Sequence, residues 1–453
     1  MTLTPPAATI ADVAEVLTRE TPAQLVEPVG EDKSPNQSTP RTVWWAVAVA
    51  FVLRYGWVII AHKYRFVLPT HYDFGQEMGA VARSLVTGHG FSSPFPEMSG
   101  PTTWVAPVYP FLIAVVFKIF GLYSTASALV MLGLNSAFSA LTCWPIYLVA
   151  RELTTRRVAL YSLWLWAIVP QFMVWAIDWV WDAALTGLIL TTFVLVTIRM
   201  ARGATRKQWV AFGLAWGVMA LLNPTALSVL PFMIIYVAWN AWKRGEPWFG
   251  RATLCSLLVM MVVTPWLVRN YLAFGKFVFI RGNFWAEMRF GNAIYGDGTE
   301  MGFSHPETNM IERRKYLTLG EQGYFDWKKH DTVEFIHTYP KYFGELCGRR
   351  ILLFWWDFDD VSGYTDWILL AMGRRIFSTL ALVGMICLFV QRRQDVFVVA
   401  SVLCVFPVVF YLTYPPARYR HVLEPLLLIC ALWALAQVRE FKKLFPDDTV
   451  PGS

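Results

Sequence analysis

Two carboxylic acids, Asp73 and Glu77, stand four residues apart directly after the first long apolar run. Side chains at this spacing lie on one face of a helix, and Ala80, Val81 and Leu85 would give that helix an apolar side. A carboxylate beside a bilayer is costly unless it is paired or used in chemistry. We therefore predict a short helix at the membrane surface, with Asp73 and Glu77 as candidate catalytic groups. The alternative is a helix cap followed by a solvated glutamate.

The composition predicts a membrane protein. Apolar residues make up 56% of the 453 positions and charged residues 16%, which departs from the balance of soluble proteins. Several apolar runs approach the roughly 20 residues that cross a bilayer as a helix. The net charge of +7 lies mainly in short loops between these runs, which indicates topology and not nucleic-acid binding. We predict an all-α polytopic membrane protein.

Basic clusters determine the predicted topology, because positively charged loops stay in the cytoplasm. All of them face inward only if residues 105–120 do not cross the membrane, so we predict an interfacial or re-entrant helix there. The clusters lie at 151–157, 199–207, 243–251, 392–393 and 439–443. The predicted spans number about ten, with both termini inside: 43–61, 124–150, 158–176, 182–198, 209–222, 225–242, 252–267, 374–390, 396–412 and 422–438.

This topology divides the chain into five predicted regions. The first residues are rich in Pro, Thr, Glu and Ala and lack apolar periodicity, which is typical of a disordered segment. The regions are a disordered cytoplasmic tail at 1–40, a transmembrane module at 41–267 with the first outer loop at 62–123, an extracytoplasmic region at 268–373, C-terminal transmembrane helices at 374–438, and a cytoplasmic tail at 439–453.

The predicted topology gathers further charged groups on the outer side of the membrane. Two acids come from the second outer loop, and three arginines come from the end of the seventh span and from the last outer loop. These residues are Asp178, Asp182, Arg269, Arg418 and Arg420.

Arginines on the outer side depart from the usual charge bias of membrane proteins. The guanidiniums of Arg418 and Arg420, with Tyr419 between them, could bind a phosphate bidentately. The alternative is that they bind lipid head groups or pair with Glu424. Carboxylates opposite a phosphate suit general-base attack on a phosphate-linked group. Three carboxylates could also hold a hard cation, but no spacing demands one, so we predict no cofactor.

Several short motifs resemble those of the GT-C glycosyltransferases. The sequence is similar in particular to the bacterial protein O-mannosyltransferase and lipid A aminoarabinose transferase group, over about residues 40–440. The motifs are Asp73 followed by Ala-x-x-Leu-x-x-Gly-x-Gly from Ala82 to Gly90, Pro107-Val-Tyr-Pro110, Pro265-Trp-x-x-Arg-Asn270 with Gly291-Asn292, and Arg418-Tyr-Arg420 with Pro425.

The resemblance implies a GT-C-type bundle with interfacial helices in its first outer loop. It also implies a hexosyltransferase-type enzyme that moves a sugar, with inversion, from a polyprenyl-phosphate donor. The acceptor would be a lipid, a glycan or a protein. The reaction would take place on the outer side of the cytoplasmic membrane, facing the periplasm or exterior, with membrane lipids as further partners.

The resemblance also assigns roles to residues of this chain. It implies that Asp73 is the general base and that Asp178 or Asp182 is the acid of the second outer loop. It places Arg269, Arg418 and Arg420 at the carrier phosphate. Relatives often carry a basic residue before the proline in the turn between the fifth and sixth spans, where this chain has Asn223.

Two other functions are compatible with a polytopic protein. A secondary transporter or lipid flippase would place charges near the bilayer midplane and show repeat symmetry. Here Arg54 is the only clear mid-span charge and no repeat is visible in the sequence. A non-catalytic scaffold would not need acids and arginines on one side. The sequence therefore favours a glycosyltransferase.

Overall fold

The computed structural model describes residues 40–66, 74–294, 296–356 and 368–438, and the side chains of 368–372 are not described. All but the last residue of the tail predicted at 1–40 and nearly all of the tail predicted at 439–453 lie outside these residues, as does the candidate base Asp73. The described residues form α-helices and three short 3-10 helices, with one isolated bridge between Ser92 and Pro101. The predicted all-α fold class is confirmed.

We number the described α-helices in chain order. They are α1 Arg41–Ile60, α2 Gln76–Val86, α3 Val108–Phe120, α4 Thr125–Leu141, α5 Cys143–Leu153, α6 Arg156–Ile168, α7 Val174–Ile177, α8 Ala183–Ala201, α9 Arg206–Leu222, α10 Leu230–Lys243, α11 Phe249–Phe274, α12 Phe284–Gly291, α13 Met310–Thr338, α14 Pro340–Trp356, α15 Ile368–Val390, α16 Val396–Val405, α17 Val408–Leu412, α18 Ala417–His421 and α19 Glu424–Gln437.

Six helical segments of the described chain are long and apolar enough to cross a membrane. The chain is therefore a multi-pass membrane protein. The segments are Arg41–Ile60, Thr125–Leu153, Ala183–Ala201, Pro224–Lys243, Phe249–Phe274 and Gly373–Val390.

The other four predicted spans differ in form. The span predicted at 158–176 is interrupted, because Pro170 lacks the N–H that a continuous helix needs and starts a 3-10 turn between α6 and α7. The spans predicted at 209–222, 396–412 and 422–438 correspond to α9, to α16 with α17, and to α19, which are shorter than a regular crossing helix.

Helix α3 occupies the stretch predicted to stay at the interface. Its 13 residues correspond to about 20 Å of helix, which is shorter than the roughly 30 Å hydrocarbon core. One face carries the buried side chains of Tyr109, Ile113 and Phe117. The opposite side exposes Val115 and Ile119, by 56% and 68%. This one-sided burial suits an interfacial helix.

Glycine permits close contact between two of the C-terminal helices. At Gly384 in α15, an added Cβ would overlap the backbone carbonyl of Cys430 in α19. Small residues let helix backbones approach closely in membranes, where packing holds helices together. A side chain at Gly384 would therefore push these two helices apart.

Arg54, the mid-span charge of the sequence, is fully buried in α1. Its guanidinium donates to the backbone carbonyls of Trp166 (2.8 Å) and Ala167 (3.0 Å) and to the Ser139 hydroxyl (2.8 Å). The carbonyls at the C-terminal end of α6 lack helical partners and carry partial negative charge. Arg54 therefore joins α1 to the end of α6, and it does not line the cavities described below.

The residues between α11 and α15 fold against the first outer loop. We call residues 275–356 the connecting region. The carboxylate of Glu321, in α13, accepts hydrogen bonds from the Thr103 backbone N–H (2.5 Å), the Thr103 hydroxyl (2.8 Å) and the Thr102 hydroxyl. An aromatic core that includes Trp104 and Phe290 surrounds this contact. The connecting region is thus bonded to the loop that follows α2.

Candidate active site

A cavity of about 500 Å³ lies between α8, α9, the connecting region and the segment that leads from α16 into α18. Apolar side chains of residues 405–412 form one wall. Polar side chains from four other parts of the chain form what we call the charged end, and they include Asp182, Asn223, Arg281, Glu287, Tyr414 and Tyr419. The cavity therefore combines an apolar wall with a charged end.

Asp182 is positioned at the start of α8 and is 4% exposed. Its Oδ2 atom accepts hydrogen bonds from the side-chain amide of Asn223 (3.2 Å) and the hydroxyl of Thr186 (3.3 Å). Asn223 directly precedes Pro224 at the end of α9. In this chain, that position supports a cavity-lining carboxylate through a neutral amide.

Asp178 is separated from Asp182. It follows the short helix α7 and forms an ion pair with Lys63, with 2.8 Å between Nζ and Oδ1. It is not among the residues that line the large cavity. Because α7 ends at Ile177, the two aspartates do not share a helix face. Of the two candidates, only Asp182 reaches the cavity.

A smaller and more polar cavity, of about 30 Å³, adjoins the large one. The two cavities share the side chains of Arg281, Glu287, Tyr414 and Tyr419. Further charged or ionisable groups line only the smaller cavity, and these are Glu77, Glu300, His305 and Arg418. The charged end of the site thus contains carboxylates and guanidiniums together.

Glu77 lies in the first turn of α2 and is 6% exposed. The His305 imidazole fixes its position. The backbone N–H of Glu307 donates to Nδ1 of His305 (3.1 Å), so the other ring nitrogen, Nε2, is the one that faces Glu77. That atom is 3.3 Å from Oε1 of Glu77. The predicted acidic helix is present, but it begins at Gln76, after Gly75 with φ of +83°.

Arg281 is the cation common to both cavities. Its Nε donates to the backbone carbonyl of Trp104 (3.0 Å), and its Nη2 lies 3.5 Å from Oε1 of Glu287. Glu287 also accepts a hydrogen bond from the Tyr414 hydroxyl (2.7 Å). Burial raises the pKa of Tyr414 well above its usual range, so this hydroxyl keeps its proton. These contacts hold the Arg281 guanidinium at the charged end.

Glu300 approaches the smaller cavity from the connecting region. Among the residues that the structure describes, no hydrogen bond or ion pair holds its carboxylate. Burial raises the pKa of Glu300 above its ordinary value, against the opposing charges of His305 and Arg418. This carboxylate is therefore available to a bound group.

The two arginines of the last outer loop contact different groups. Arg418 lines the smaller cavity, with its guanidinium 4.6 Å from the Trp181 ring centre and 5.1 Å from that of Tyr419. Arg420 is 1% exposed and pairs with Glu424 (3.2 Å between Nη1 and Oε1). The alternative that we gave for Arg420, pairing with Glu424, is the arrangement in the structure. The two guanidiniums therefore have different neighbours.

Arg269 also lies outside the lining of both cavities. Its Nη1 donates to the backbone carbonyl of Thr102 (2.8 Å) and its Nη2 to that of Phe91 (2.5 Å). The side chain of Arg269 therefore holds the first outer loop against α11. This geometry favours a positioning role over the predicted phosphate contact.

The sequence analysis missed four residues of the site, all in the connecting region: Arg281, Glu287, Glu300 and His305. Arg281 carried a usable signal, because an arginine beyond the seventh predicted span faces outward against the charge bias. The other three had none, since their approach to α2 depends on the fold of the connecting region. In the described part of the chain, no three His, Cys, Asp or Glu residues are grouped to hold a metal ion.

Part of this chain matches a known protein family, and its fold is similar to that of a solved enzyme. The family described as dolichyl-phosphate-mannose-protein mannosyltransferase matches residues 104–268, which include Asp182 and Asn223. The apo oligosaccharyltransferase of Archaeoglobus fulgidus is similar in structure, with a TM-score of 0.50 and 13% identity over 89% of this chain and 50% of that one. The resemblance to the GT-C superfamily is confirmed.

Two further solved structures are similar to this chain at low sequence identity. The same A. fulgidus protein, tethered to an acceptor peptide with the NVT sequon, gives a TM-score of 0.50 and 14% identity over 89% of this chain and 49% of that one. ArnT from Cupriavidus metallidurans, bound to undecaprenyl phosphate, gives a TM-score of 0.46 and 14% identity over 89% of this chain and 61% of that one. This chain spans about half the length of the oligosaccharyltransferase. No curated protein matches in sequence.

Proposed function

We propose that this protein transfers a sugar from a polyprenyl-phosphate donor to an acceptor on the outer side of the cytoplasmic membrane. The observation that carries the proposal is the large cavity, where an apolar wall meets a charged end with both Arg281 and Asp182. A lipid-linked sugar has the same division into an apolar chain, an anionic phosphate and a polar ring. The family description names a dolichyl-phosphate sugar as the donor of its members.

The apolar wall formed by residues 405–412 suits the isoprenoid chain. Its side chains include Val405, Val408, Val409 and Phe410, which lie at the end of α16 and in α17. Burying an isoprenoid here removes apolar surface from water or head groups, and this contributes about 25 cal/mol per Å². A donor would therefore enter from the bilayer with its phosphate directed at the charged end.

Arg281 and Arg418 are the guanidiniums best placed for the carrier phosphate. Both line the smaller cavity, and Arg281 lines the large one as well. Arginine forms charge-assisted hydrogen bonds to phosphate oxygens. As the bond between the sugar carbon and the phosphate oxygen breaks, the electron pair stays on the phosphate, and a fixed guanidinium stabilises this developing charge.

Carboxylates supply the general base. The acceptor's oxygen or nitrogen attacks the sugar carbon from the face opposite the phosphate, which inverts that carbon, and its proton passes to a carboxylate. Asp73 keeps its predicted role as this base. Glu77, held by His305, is the described carboxylate nearest to it in sequence. Asp182 binds or orients the donor from the large cavity.

A lipid flippase is the second candidate, because an amphipathic cavity could also carry a lipid across a membrane. Two observations weigh against it. The guanidinium of Arg54, the buried mid-span charge, donates its hydrogen bonds to backbone carbonyls and a hydroxyl within the bundle. The charged groups meet at the ends of spans and in the connecting region, and transporters place theirs near the midplane.

The test uses the purified full chain in proteoliposomes with a labelled polyprenyl-phosphate hexose. We expect the donor to be converted to polyprenyl phosphate and a glycosylated acceptor or free sugar. Asp73→Asn should leave donor binding near wild type and lower turnover by roughly 10²–10⁴-fold, because an amide cannot take a proton. Glu77→Gln is the matched neighbour. Chemically unchanged donor that crosses the bilayer would instead identify a flippase.

A further inference from the structure

The first half of α13 exposes large apolar side chains, although it lies outside the membrane-crossing helices. Met310, Ile311 and Leu319 are exposed by 68%, 68% and 48%. On the other side of the same helix, Tyr316 is 1% exposed in the aromatic core. These exposed apolar side chains therefore lie on the side of the helix that faces away from the aromatic core.

Two cations lie among these apolar side chains. Arg314 and Lys315 are both exposed, and among the described residues no carboxylate pairs with either. The Lys315 ammonium lies 4.1 Å from the ring centre of Trp327. Together with Ile311 and Leu319 these residues border a groove of about 440 Å³. We call Met310, Ile311, Arg314, Lys315 and Leu319 the basic–apolar face.

The neighbouring acids are already occupied by other partners. Glu312 pairs with the buried ammonium of Lys328 (2.9 Å), and Glu97 pairs with Arg313 (3.4 Å between Nη1 and Oε1). The positive charge of the basic–apolar face is therefore not neutralised locally, and it favours an anionic surface.

We propose that the basic–apolar face docks on the outer surface of the bilayer, with its apolar side chains in the head-group layer and its cations on anionic lipids. Cations near a bilayer surface attract anionic head groups, and exposed apolar side chains beside them gain by leaving water for the head-group layer. The connecting region is tied to the membrane at both ends, by α11 and α15. Docking would hold the connecting region, and with it Arg281, Glu300 and His305, at a fixed height above the membrane.

A second copy of the chain fits this face less well. In a two-fold symmetric dimer the same patch meets itself, which would bring Arg314 and Lys315 against their own counterparts. An anionic bilayer covers both the apolar and the cationic side chains at once. The charge of the face thus favours lipid as its occupant.

Photo-crosslinking tests this proposal. A photoreactive phenylalanine analogue replaces Ile311 or Leu319, and Glu334, which is also exposed on α13, is the control position. The full chain is placed in nanodiscs of phosphatidylcholine with about 30% phosphatidylglycerol, and lipid adducts are measured by mass spectrometry. We expect adduct yields at 311 and 319 to exceed the yield at 334 about fivefold or more.

The cations are tested with a matched pair of double variants. Arg314→Ser with Lys315→Ser should lower the phosphatidylglycerol adduct at 311 about fivefold relative to the phosphatidylcholine adduct. Lys329→Ser with Lys341→Ser removes the same charge from exposed positions elsewhere and should not. Equal yields at 311, 319 and 334 would overturn the proposal. Adducts of doubled protein mass would also overturn it and assign the face to a second copy.

Discussion

At the scale of single residues, Asp182 and Asp178 show how position separates two similar groups. Asp182 lines the large cavity and Asp178 pairs with Lys63 outside it. We predict that Asp182→Asn lowers turnover of a labelled polyprenyl-phosphate sugar by roughly 10–100-fold, the effect of losing one charge-assisted hydrogen bond. Asp178→Asn is the matched control and should change turnover less than about threefold. A larger loss in Asp178→Asn would reverse the assignment.

Glu307, whose backbone N–H donates to His305, makes the stability of the fold depend on pH. Burial raises the pKa of Glu307 to about 7, with a further contribution from the negative charge of Glu77, against the opposing charges of Arg313 and His305. The folded state therefore holds a proton that the unfolded chain loses near pH 4.5. Between these two values the unfolded state binds fewer protons, so the free energy of unfolding decreases as pH rises.

We predict from this sign that Glu307→Gln raises the melting temperature at pH 8 and changes it little at pH 4.5. Glutamine is uncharged at both values and avoids the cost of a buried carboxylate. Thermal unfolding in detergent at the two pH values measures the difference. An equal rise in melting temperature at pH 4.5 and at pH 8 would contradict the raised pKa of Glu307 and indicate a packing effect.

Part of the site could be predicted from single residues. Asp182, Glu77 and Arg418 were predicted because acids and outward arginines are unusual beside a membrane, and Tyr419 because it stands between two such arginines. All four line a cavity. Arg420 was grouped with Arg418 because the sequence did not show the short helix α18. Side chains two residues apart on a helix do not face each other, and Arg420 consequently turns to Glu424.

At the scale of helices, the end of α12 depends on a glycine. An added Cβ at Gly291 would overlap the backbone carbonyl of Thr413. Next to it, the Asn292 side-chain amide donates to the carbonyl of Leu412 (2.9 Å), and the Arg350 guanidinium donates to the Asn292 side chain (3.0 Å). The Gly291-Asn292 motif thus joins the connecting region to the end of α17.

We predict that Gly291→Ala destabilises the protein, because the backbones of α12 and residue 413 must separate to admit the methyl group. Gly344→Ala is the matched control. Gly344 lies within α14, and an added Cβ there would meet no atom within 4 Å. Alanine at this position should stabilise the protein by about 0.5–1 kcal/mol. Melting temperatures of both variants in detergent decide the question. An unchanged melting temperature in Gly291→Ala would show that the two backbones can separate at little cost in stability.

The apolar runs of the sequence predict where helices form, but they do not predict where a helix is interrupted. The apolar run at 158–176 continues through Pro170, so composition favoured one span where the chain forms α6, a 3-10 turn and α7. The connecting region was predicted only as polar and extracytoplasmic. Its helices α12, α13 and α14 pack through aromatic side chains and a buried carboxylate, and such contacts have no local pattern in sequence.

At the scale of the whole molecule, the topology rests on α3. Since α3 is too short to cross the bilayer upright, Ser124 should be labelled from outside and Arg151 from the cytoplasm when each is replaced by cysteine. The basic loops all face inward only in this arrangement. Membrane-impermeant thiol reagents applied to intact cells and to inverted vesicles measure the two sides. Labelling of Ser124 from the cytoplasm and Arg151 from outside would overturn the predicted topology.

The central claim is that the large cavity receives a polyprenyl-phosphate carrier. The most direct measurement is a cryo-electron microscopy structure of the full chain in nanodiscs with bound polyprenyl phosphate. We expect the phosphate oxygens within about 3 Å of the guanidinium of Arg281 or Arg418, and the isoprenoid chain along residues 405–412. A phosphate held by Arg269 or Arg420, with an empty large cavity, would contradict the account.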